Sequence, residues 1–296
     1  MYAIVGASGN TGSVVADQLL KQGQKVRVIG RSASRLERLT EQGAEAFVAD
    51  VTDATALTKA FEGATAVYAM VPPNISAPDV PAYQERVSGA LTAAIQKAGV
   101  RKAVVLSSIG ADKPEKTGPI TDLHHLEQKL NSIAGLDAVY LRAGYFMENL
   151  LPQVGVIRNF GMVAGPIRPE LPLPFIATRD IGAAAAEILL SADFAAKQPR
   201  ELLGQRDVSY NEVAAIIGKA LGKPGLGYVQ ASADQLRPAL TQIGMSESMV
   251  NLLLEMWEAL NSGYVSALEP RSKRNTTPTS IETFVAEEFV PRFTAA

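Results

Sequence analysis

The stretch Met1-Tyr2-Ala3-Ile4-Val5-Gly6-Ala7-Ser8-Gly9-Asn10-Thr11-Gly12 decides the fold of this chain. A short apolar run leads into three glycines spaced three apart, and an apolar helical pattern with Val14, Val15, Leu19 and Leu20 follows at once. This order predicts a strand, a tight turn and a helix whose N-terminus faces the turn. Such an N-terminus offers unpaired backbone N–H groups and the positive end of the helix dipole, and glycine lets a ligand approach closely. The stretch therefore predicts a site for the pyrophosphate of a dinucleotide.

The composition is that of an ordinary globular protein of 296 residues, with 47% hydrophobic and 20% charged residues. A net charge of −2 creates no field that favours nucleic acid or an anionic membrane. The basic cluster Arg271-Ser272-Lys273-Arg274 is short and fits a solvated loop. The lack of cysteine excludes disulfides and sulfur-ligated metals, and two histidines make any metal site unexpected. We expect a cytoplasmic protein, because neither a signal peptide nor an apolar stretch of ~20 residues is visible.

Strand-like and helix-like segments alternate through the first half of the chain. Apolar runs predict strands at 2–6, 25–30, 45–49, 66–71, 102–107 and 137–142, and helical patterns fall at 11–22, 33–42, 53–62, 79–98 and 121–134. This alternation implies a parallel sheet covered by helices on both faces. We therefore predict an α/β fold, a doubly wound parallel sheet of the Rossmann type, with ligands at the carboxyl ends of the strands.

The second half is less regular and predicts a smaller, mixed α/β domain. Pro and Gly are dense over 152–175, which we expect to be loop-like, and further helices are expected near 182–191, 210–221, 232–243 and 246–261, with strands at 200–204 and 226–230. Thr279-Ser280-Ile281-Glu282 has the spacing of a capping box and predicts the start of a final helix. We place a dinucleotide-binding domain at 1–150 and a substrate-side domain at 151–296, and parts of 175–205 are free to return to the first sheet.

The end of the second strand indicates which dinucleotide is bound. An acidic residue there favours NAD because it accepts hydrogen bonds from the ribose, whereas an arginine favours NADP because it pairs with the 2′-phosphate. Gly30-Arg31-Ser32 stands at this point, with Arg35 one helical turn further on. We therefore predict that NADP(H) is preferred over NAD(H). Asp50-Val51 ends the third strand, where the carboxylate fits either the adenine amino group or the N-cap of the next helix.

Several stretches taken together resemble the NmrA-like group of atypical short-chain dehydrogenases/reductases. They are Gly6-x-x-Gly9-x-x-Gly12, Arg31-Ser32, Ala49-Asp50-Val51, Leu106-Ser107-Ser108 and Leu141-Arg142-Ala143-Gly144-Tyr145-Phe146-Met147-Glu148-Asn149. The resemblance implies a Rossmann domain, a smaller substrate-side domain and preference for NADP(H). The group contains flavin-free reductases of quinones, dyes or phenylpropanoid-type substrates, and also dinucleotide-binding regulatory proteins without known turnover.

The helix after the fifth strand departs from the pattern of typical short-chain dehydrogenases. Those enzymes carry Tyr-x-x-x-Lys there, with the tyrosine exchanging the proton and the lysine holding the nicotinamide ribose. The corresponding stretch here is His125-Leu126-Glu127-Gln128-Lys129, so the lysine is kept and histidine replaces tyrosine. A histidine titrates near neutral pH, so His125 is either a proton donor or a residue that packs beside the ribose. The missing tyrosine argues against alcohol chemistry and against nucleotide-sugar epimerisation.

The remaining candidate residues follow the fourth, fifth and sixth strands. Ser107 and Ser108 fit either a substrate carbonyl or a strand-end turn, and Tyr145 and Phe146 fit either stacking or core packing. We predict as cofactor-binding residues Gly6, Ser8, Gly9, Asn10, Thr11, Gly12, Arg31, Ser32, Arg35, Asp50, Val51, Met70, Val71, Pro72, Ser107, Ser108, Lys129 and Tyr145, as catalytic residues His125, Lys129 and Ser107, and as substrate-side residues Tyr145, Phe146 and Asn149.

These features predict an NADP(H)-dependent oxidoreductase that transfers hydride from NADPH to a small planar organic acceptor such as a quinone, without flavin or metal. Quinones suit the chain because their reduction needs little acid catalysis. The alternative is a non-catalytic NADP(H)-binding redox sensor with a regulatory protein partner. The apolar stripe of helix 246–261 fits a lid, a partner surface or an ordinary packed face. A monomer and a homodimer are both compatible with the sequence.

Overall fold

A computed structural model describes residues 1–191 and 197–295 of the chain. Its strands are β1 Tyr2–Val5, β2 Val26–Gly30, β3 Glu45–Val48, β4 Ala66–Ala69, β5 Lys102–Ser108, β6 Asp137–Ala143, β7 Tyr145–Phe146, β8 Val163–Gly165, β9 Leu173–Ile176, β10 Gln198–Leu202, β11 Asp207–Val208 and β12 Tyr228–Gln230. Seven of them form one parallel sheet in the order β10-β6-β5-β4-β1-β2-β3. The predicted doubly wound α/β fold is therefore confirmed.

The helices of the described residues are α1 Asn10–Lys21, α2 Glu37–Glu41, α3 Ala54–Phe61, α4 Val80–Lys97, α5 Thr121–Asn131, α6 Gln153–Phe160, α7 Thr178–Leu190, α8 Tyr210–Ala220, α9 Ala233–Gln242, α10 Glu247–Asn261, α11 Ile281–Phe284 and α12 Val290–Ala295. Of these, α3, α4 and α5 cover one face of the main sheet, and α1, α2 and α7 cover the other. The core under α3, α4 and α5 contains Phe61 and Leu91, and the core under α1 and α7 contains Leu19 and Ile181. Alternate residues of each parallel strand point into one core or the other, which explains why the strands are apolar throughout.

The order of the strands positions the site. The chain adds strands outward from β1 through β2 and β3, then returns to place β4 on the other side of β1. Helices on either side of this reversal lie on opposite faces, so a crevice opens at the carboxyl ends of β1 and β4. Helix α1 starts in this crevice and crosses α7 closely, because a Cβ at Gly182 would lie 2.6 Å from the Cβ of Val14. The packing of α7 against α1 therefore fixes the position of α1 in the site.

The second half of the chain forms a separate core around small sheets, in the orders β11-β9-β7 and β12-β8. The expectation that 152–175 is loop-like was wrong, because α6, β8 and β9 lie there. Pro152 is the N-cap of α6, and Gly161, at φ 67°, ends it in the left-handed region. Proline and glycine therefore mark the ends of short elements in this stretch. Strand β10 joins the main sheet beside β6.

The final helical segment starts one residue later than its capping pattern predicts. The side chain of Ser280 caps α11 by accepting a hydrogen bond from the N–H of Thr283. The hydroxyl and the N–H of Thr279 donate instead to the buried carboxylate of Asp180 in α7, at 2.7 and 2.9 Å. This contact anchors the C-terminal segment to the main sheet. In the described parts of the chain, every helix is too short or too polar to traverse a lipid bilayer.

Candidate dinucleotide site and acceptor cavity

The glycine bend between β1 and α1 is built for close approach of a ligand. Gly6 has φ 66°, and its carbonyl accepts a hydrogen bond from the N–H of Gly9 at 2.9 Å. Gly9 is the N-cap of α1, so no side chain satisfies the first N–H groups of the helix. A Cβ at Gly12 would lie 2.4 Å from the carbonyl oxygen of Gly6, so only glycine fits there. The resulting backbone cradle fits the pyrophosphate of a dinucleotide.

The side chains around the bend divide between solvent and core. Ser8 and Asn10 are exposed beside the open N–H groups. Thr11 is buried, and its hydroxyl accepts a hydrogen bond from Tyr68 at 2.8 Å, so only its backbone faces the cradle. Met70 follows β4 and packs against the bend, because a Cβ at Gly6 would lie 2.8 Å from its Sδ atom. Any larger residue at Gly6 would displace this methionine.

The residues predicted to hold the adenosine lie together at the carboxyl ends of β2 and β3. Arg31 is exposed directly after β2, and Arg35 is exposed in the short 3₁₀ turn Ser34–Leu36. The hydroxyl of Ser32 lies 2.8 Å from that of Ser34. Asp50 follows β3, and hydrogen bonds from the N–H and hydroxyl of Thr52, followed by the charge of Arg31, lower the pKa of its carboxyl. A guanidinium and a carboxylate thus flank the place where the ribose and adenine would lie.

The N-cap interpretation of Asp50 was wrong. The N-cap of α3 is Asp53, whose carboxylate accepts from the N–H groups of Thr55 and Ala56 at 2.9 and 3.0 Å. Asp50 forms a local turn with Thr52 at 2.8 Å and keeps its second carboxylate oxygen available at the sheet edge. Val51 beside it is buried.

A cavity of about 160 Å³ lies at the carboxyl ends of β5 and β6. It is lined by Ser108, Ile109, Ile120, Gly144, Tyr145, Phe146, Asn149, Met256, Leu260 and Val265. All of these side chains are uncharged, and α10 supplies one wall. The ring of Tyr145 packs edge-to-face on Phe175 with centroids 5.3 Å apart, and burial raises the pKa of its hydroxyl. The structure therefore brings together the three residues predicted on the substrate side.

The two serines at the end of β5 have different surroundings. Ser107 is buried, and its hydroxyl donates to Oε1 of Glu127 at 2.6 Å. Arg142 binds the same carboxylate through Nε and a terminal nitrogen, at 3.1 and 2.6 Å. Ser108 lines the cavity. Alternation along a strand turns neighbouring side chains to opposite faces, so Ser108 faces the cavity while Ser107 binds the ion pair of Glu127 and Arg142.

Neither His125 nor Lys129 lines this cavity. His125 lines a second cavity of about 450 Å³ between α4, α5 and α10, together with Glu85, Asp122 and Glu255. The ammonium of Lys129 lies 2.5 Å from the Glu85 carboxylate on α4. The helical turn that directs Glu127 to the sheet directs these two residues toward α4. Neither of these two predicted catalytic residues therefore lines the cavity of Tyr145.

The structure also adds residues that sequence reasoning missed. Ile109, Ile120 and Val265 line the cavity but stand in loops or short turns without a recognisable pattern. Met256 and Leu260 belong to the apolar stripe of α10, and they wall the cavity while Met249 of the same stripe packs in the main core. The stripe is thus partly a cavity wall and partly a packed face. Across residues 1–191 and 197–295, His, Asp and Glu side chains form no group of three or more suited to a metal ion.

The open parallel sheet and the glycine bend at its switch point define a Rossmann-type protein with a dinucleotide cradle. The chain belongs to the NmrA-like family, whose model matches residues 2–289. An NAD(P)H azoreductase from Xenophilus azovorans is 28% identical over 270 residues, covering 90% of each chain.

Solved structures of reductases share the overall architecture. An NADPH-dependent quinone oxidoreductase from Escherichia coli, complexed with NADPH, has a TM-score of 0.80 at 24% identity and covers 98% of this chain and 100% of its own. A triphenylmethane reductase from Citrobacter sp., complexed with NADP(H), has a TM-score of 0.78 at 19% identity and covers 95% of this chain and 98% of its own. At such identities the similarity establishes the fold.

Proposed function

We propose that this protein binds NADP(H) along the carboxyl edge of its main sheet and reduces a small, uncharged, planar organic acceptor such as a quinone. The proposal is carried by the position of the cavity relative to the glycine bend. An uncharged cavity beside Ser108 and Tyr145 lies at the same sheet edge as the glycine cradle of Gly6 and Gly12. A dinucleotide whose pyrophosphate occupies the cradle can extend one end toward Arg31 and the other toward the cavity.

The residues present fit such a cofactor. The cradle excludes a Cβ at Gly12, which leaves backbone N–H groups as the phosphate ligands. Arg31 would pair with a 2′-phosphate, and Asp50 would accept a hydrogen bond from the adenine amino group. When bound, NADPH supplies a hydride from its nicotinamide ring. The chain's own residues then have to hold the acceptor in place against the nicotinamide.

The lining of the cavity restricts the acceptor. Burial of a charged group costs several kcal/mol where no opposite charge is available, so an uncharged acceptor is favoured. Tyr145 and Phe146 offer flat surfaces for stacking, and Met256 of α10 lines the same cavity. The hydroxyls of Ser108 and Tyr145 and the amide of Asn149 are lining groups able to donate a hydrogen bond to an acceptor oxygen.

Reduction of a quinone needs no strong protein acid. Hydride addition leaves a phenolate-like oxygen whose conjugate acid has a pKa near 10, as for tyrosine, so water at neutral pH supplies the proton. Ser108 donates a hydrogen bond to the oxygen on which negative charge develops. This chemistry does not require His125, which lines the second cavity. The names of the relatives support the choice, since azo dyes, quinones and triphenylmethane dyes are extended conjugated acceptors.

The proposal is tested by measuring the loss of NADPH absorbance with benzoquinone, naphthoquinone and a sulfonated naphthoquinone. We expect turnover with the two uncharged quinones and at least about tenfold lower kcat/KM for the sulfonate, a difference of about 1.4 kcal/mol. Calorimetry with NADPH runs in parallel. NADPH binding without turnover of any acceptor would leave the sensor alternative, and no NADPH binding would refute both functions.

A further inference from the structure

The β4–α4 segment, residues 70–79, leads away from the dinucleotide cradle. It begins with Met70, which packs against the glycine bend, because a Cβ at Gly6 would lie 2.8 Å from its Sδ atom. The carbonyl of Pro72 accepts a hydrogen bond from the hydroxyl of Tyr83 on α4 at 3.1 Å. The first three residues of the segment are among the predicted cofactor contacts. A bound dinucleotide would therefore hold the start of this segment in one position.

Helix α10 is hydrogen-bonded to the other end of the β4–α4 segment. The N–H of Ser246, the N-cap of α10, donates to the carbonyl of Ile75 at 2.8 Å. The hydroxyl of Ser248 accepts from the N–H of Val80, the first residue of α4, at 3.0 Å. Asp79, the N-cap of α4, bonds a later N–H of that helix. Ser248 thus satisfies an N–H group of α4 that the helix's own cap leaves open.

The other end of α10 belongs to the acceptor cavity, which Met256 and Leu260 line. Between the two ends, the Glu255 carboxylate accepts a hydrogen bond from the N–H of Gly118 at 2.9 Å, and a Cβ at Gly118 would collide with a backbone oxygen of α10. Met256 lies about 12 Å along the helix from Ser248, at 1.5 Å per residue. A continuous helix therefore joins the β4–α4 segment to the cavity wall.

We propose that Ser248 is a positioning residue for the acceptor cavity, and that its bond to α4 lets the bound dinucleotide fix the wall formed by Met256 and Leu260. This inference rests on the NADP(H) binding and quinone reduction proposed above. When the wall is displaced, the acceptor loses contacts, so its apparent affinity falls with the fraction of molecules that have the wall in place. The acceptor therefore binds the NADPH complex more tightly than the free protein.

The first test compares Ser248→Ala with Ser262→Ala in the quinone assay. Ser262 ends the same helix, and its hydroxyl bonds carbonyls of α10 itself. Loss of one hydrogen bond changes an equilibrium by about two- to tenfold, so the KM of Ser248→Ala for naphthoquinone should rise by that factor. Its kcat and NADPH dissociation constant should change less than about twofold. Ser262→Ala should match the unchanged protein, and Ser248→Thr, which keeps the hydroxyl, should recover most of the lost affinity.

Tryptophan fluorescence reports the position of α10 without turnover. Trp257 is the single tryptophan of the chain, and it directly follows Met256. In the unchanged protein, NADP⁺ should reduce the quenching of Trp257 by acrylamide, because a fixed helix admits the quencher less often. NADP⁺ is used because, unlike NADPH, it does not absorb tryptophan emission. The response should disappear in Ser248→Ala at saturating NADP⁺ and persist in Ser262→Ala.

Three outcomes would overturn the role of Ser248 and leave the proposed function standing. They are equal KM values for Ser248→Ala and Ser262→Ala, a parallel rise of the NADPH dissociation constant with KM, and a Trp257 response that survives Ser248→Ala. Binding of NADP⁺ to the unchanged protein with no change at Trp257 would also refute the inference, whether or not any quinone is reduced. If the unchanged protein binds neither NADPH nor NADP⁺, the proposed function itself fails.

Discussion

Replacement of Gly12 by alanine tests the glycine cradle. The added Cβ would lie 2.4 Å from the oxygen and 2.8 Å from the carbon of the Gly6 carbonyl, and 3.1 Å from the Cα of Ala7. All three neighbours are backbone atoms, so the bend has to open. Overpacking of this kind costs about 1–3 kcal/mol, while alanine inside a helix recovers about 0.5–1 kcal/mol. The free energy of unfolding should therefore fall by about 0–2.5 kcal/mol.

Ligand binding should respond more strongly than stability. Opening the bend moves the N–H groups that the phosphate needs, so we expect the NADPH dissociation constant of Gly12→Ala to rise at least about tenfold, or about 1.4 kcal/mol. Gly89→Ala is the matched control, because Gly89 lies inside α4 with nothing within 4 Å of its added Cβ. It should stabilise the protein by about 0.5–1 kcal/mol and leave binding unchanged. Urea unfolding and calorimetry measure both effects. The reasoning is refuted if Gly12→Ala gains stability like the control and binds NADPH normally.

Three further predictions concern charged side chains. Arg31→Asp should weaken NADPH binding by about 1.5–3 kcal/mol and NADH binding far less; equal losses in calorimetry would contradict its phosphate role. Glu127→Gln leaves the half-buried Arg142 guanidinium without its counterion and should cost about 3–5 kcal/mol in urea unfolding, whereas Glu85→Gln, which breaks an exposed pair, should cost less than about 1 kcal/mol. Burial raises the pKa of Asp122 above its ordinary value of 3.8, so its stabilising contribution is present at lower pH and lost as pH rises through the folded-state pKa. The stability of the unchanged protein relative to Asp122→Asn should therefore decline as the pH rises above 3.8, and a flat or rising difference would contradict the shift.

Local signals in the first half of the chain were sufficient to predict the fold. Each strand of the main sheet within residues 1–143 lies within two residues of its prediction, since apolar runs and glycine bends there act over short distances. The stretch 152–175 failed because its prolines and glycines were interpreted as loop formers. Pro152 and Gly161 instead mark the start and the end of a two-turn helix. The apolar side of this helix packs against a core that is assembled from segments distant in the sequence.

The site was predictable only where sequence neighbours form it. The glycine bend and Arg31 follow from one strand–turn–helix unit and one strand end. The different roles of Ser107 and Ser108 depend on strand register and on Glu127 from another element. The orientation of His125 depends on how α5 packs beside α4 on the same face of the sheet. Spacing within a helix indicates which side chains share a face, but the packing partner decides what that face meets.

The central claim is that the dinucleotide lies along the carboxyl edge, with its pyrophosphate on the glycine cradle and its nicotinamide at the uncharged cavity. A crystal structure of the protein with NADPH measures this most directly. The account predicts phosphate oxygens within hydrogen-bond distance of the N–H groups at the start of α1, and nicotinamide C4 open to the space between Tyr145 and Met256. A nicotinamide directed into the second cavity, which His125 lines, or a pyrophosphate held away from Gly12, would contradict it.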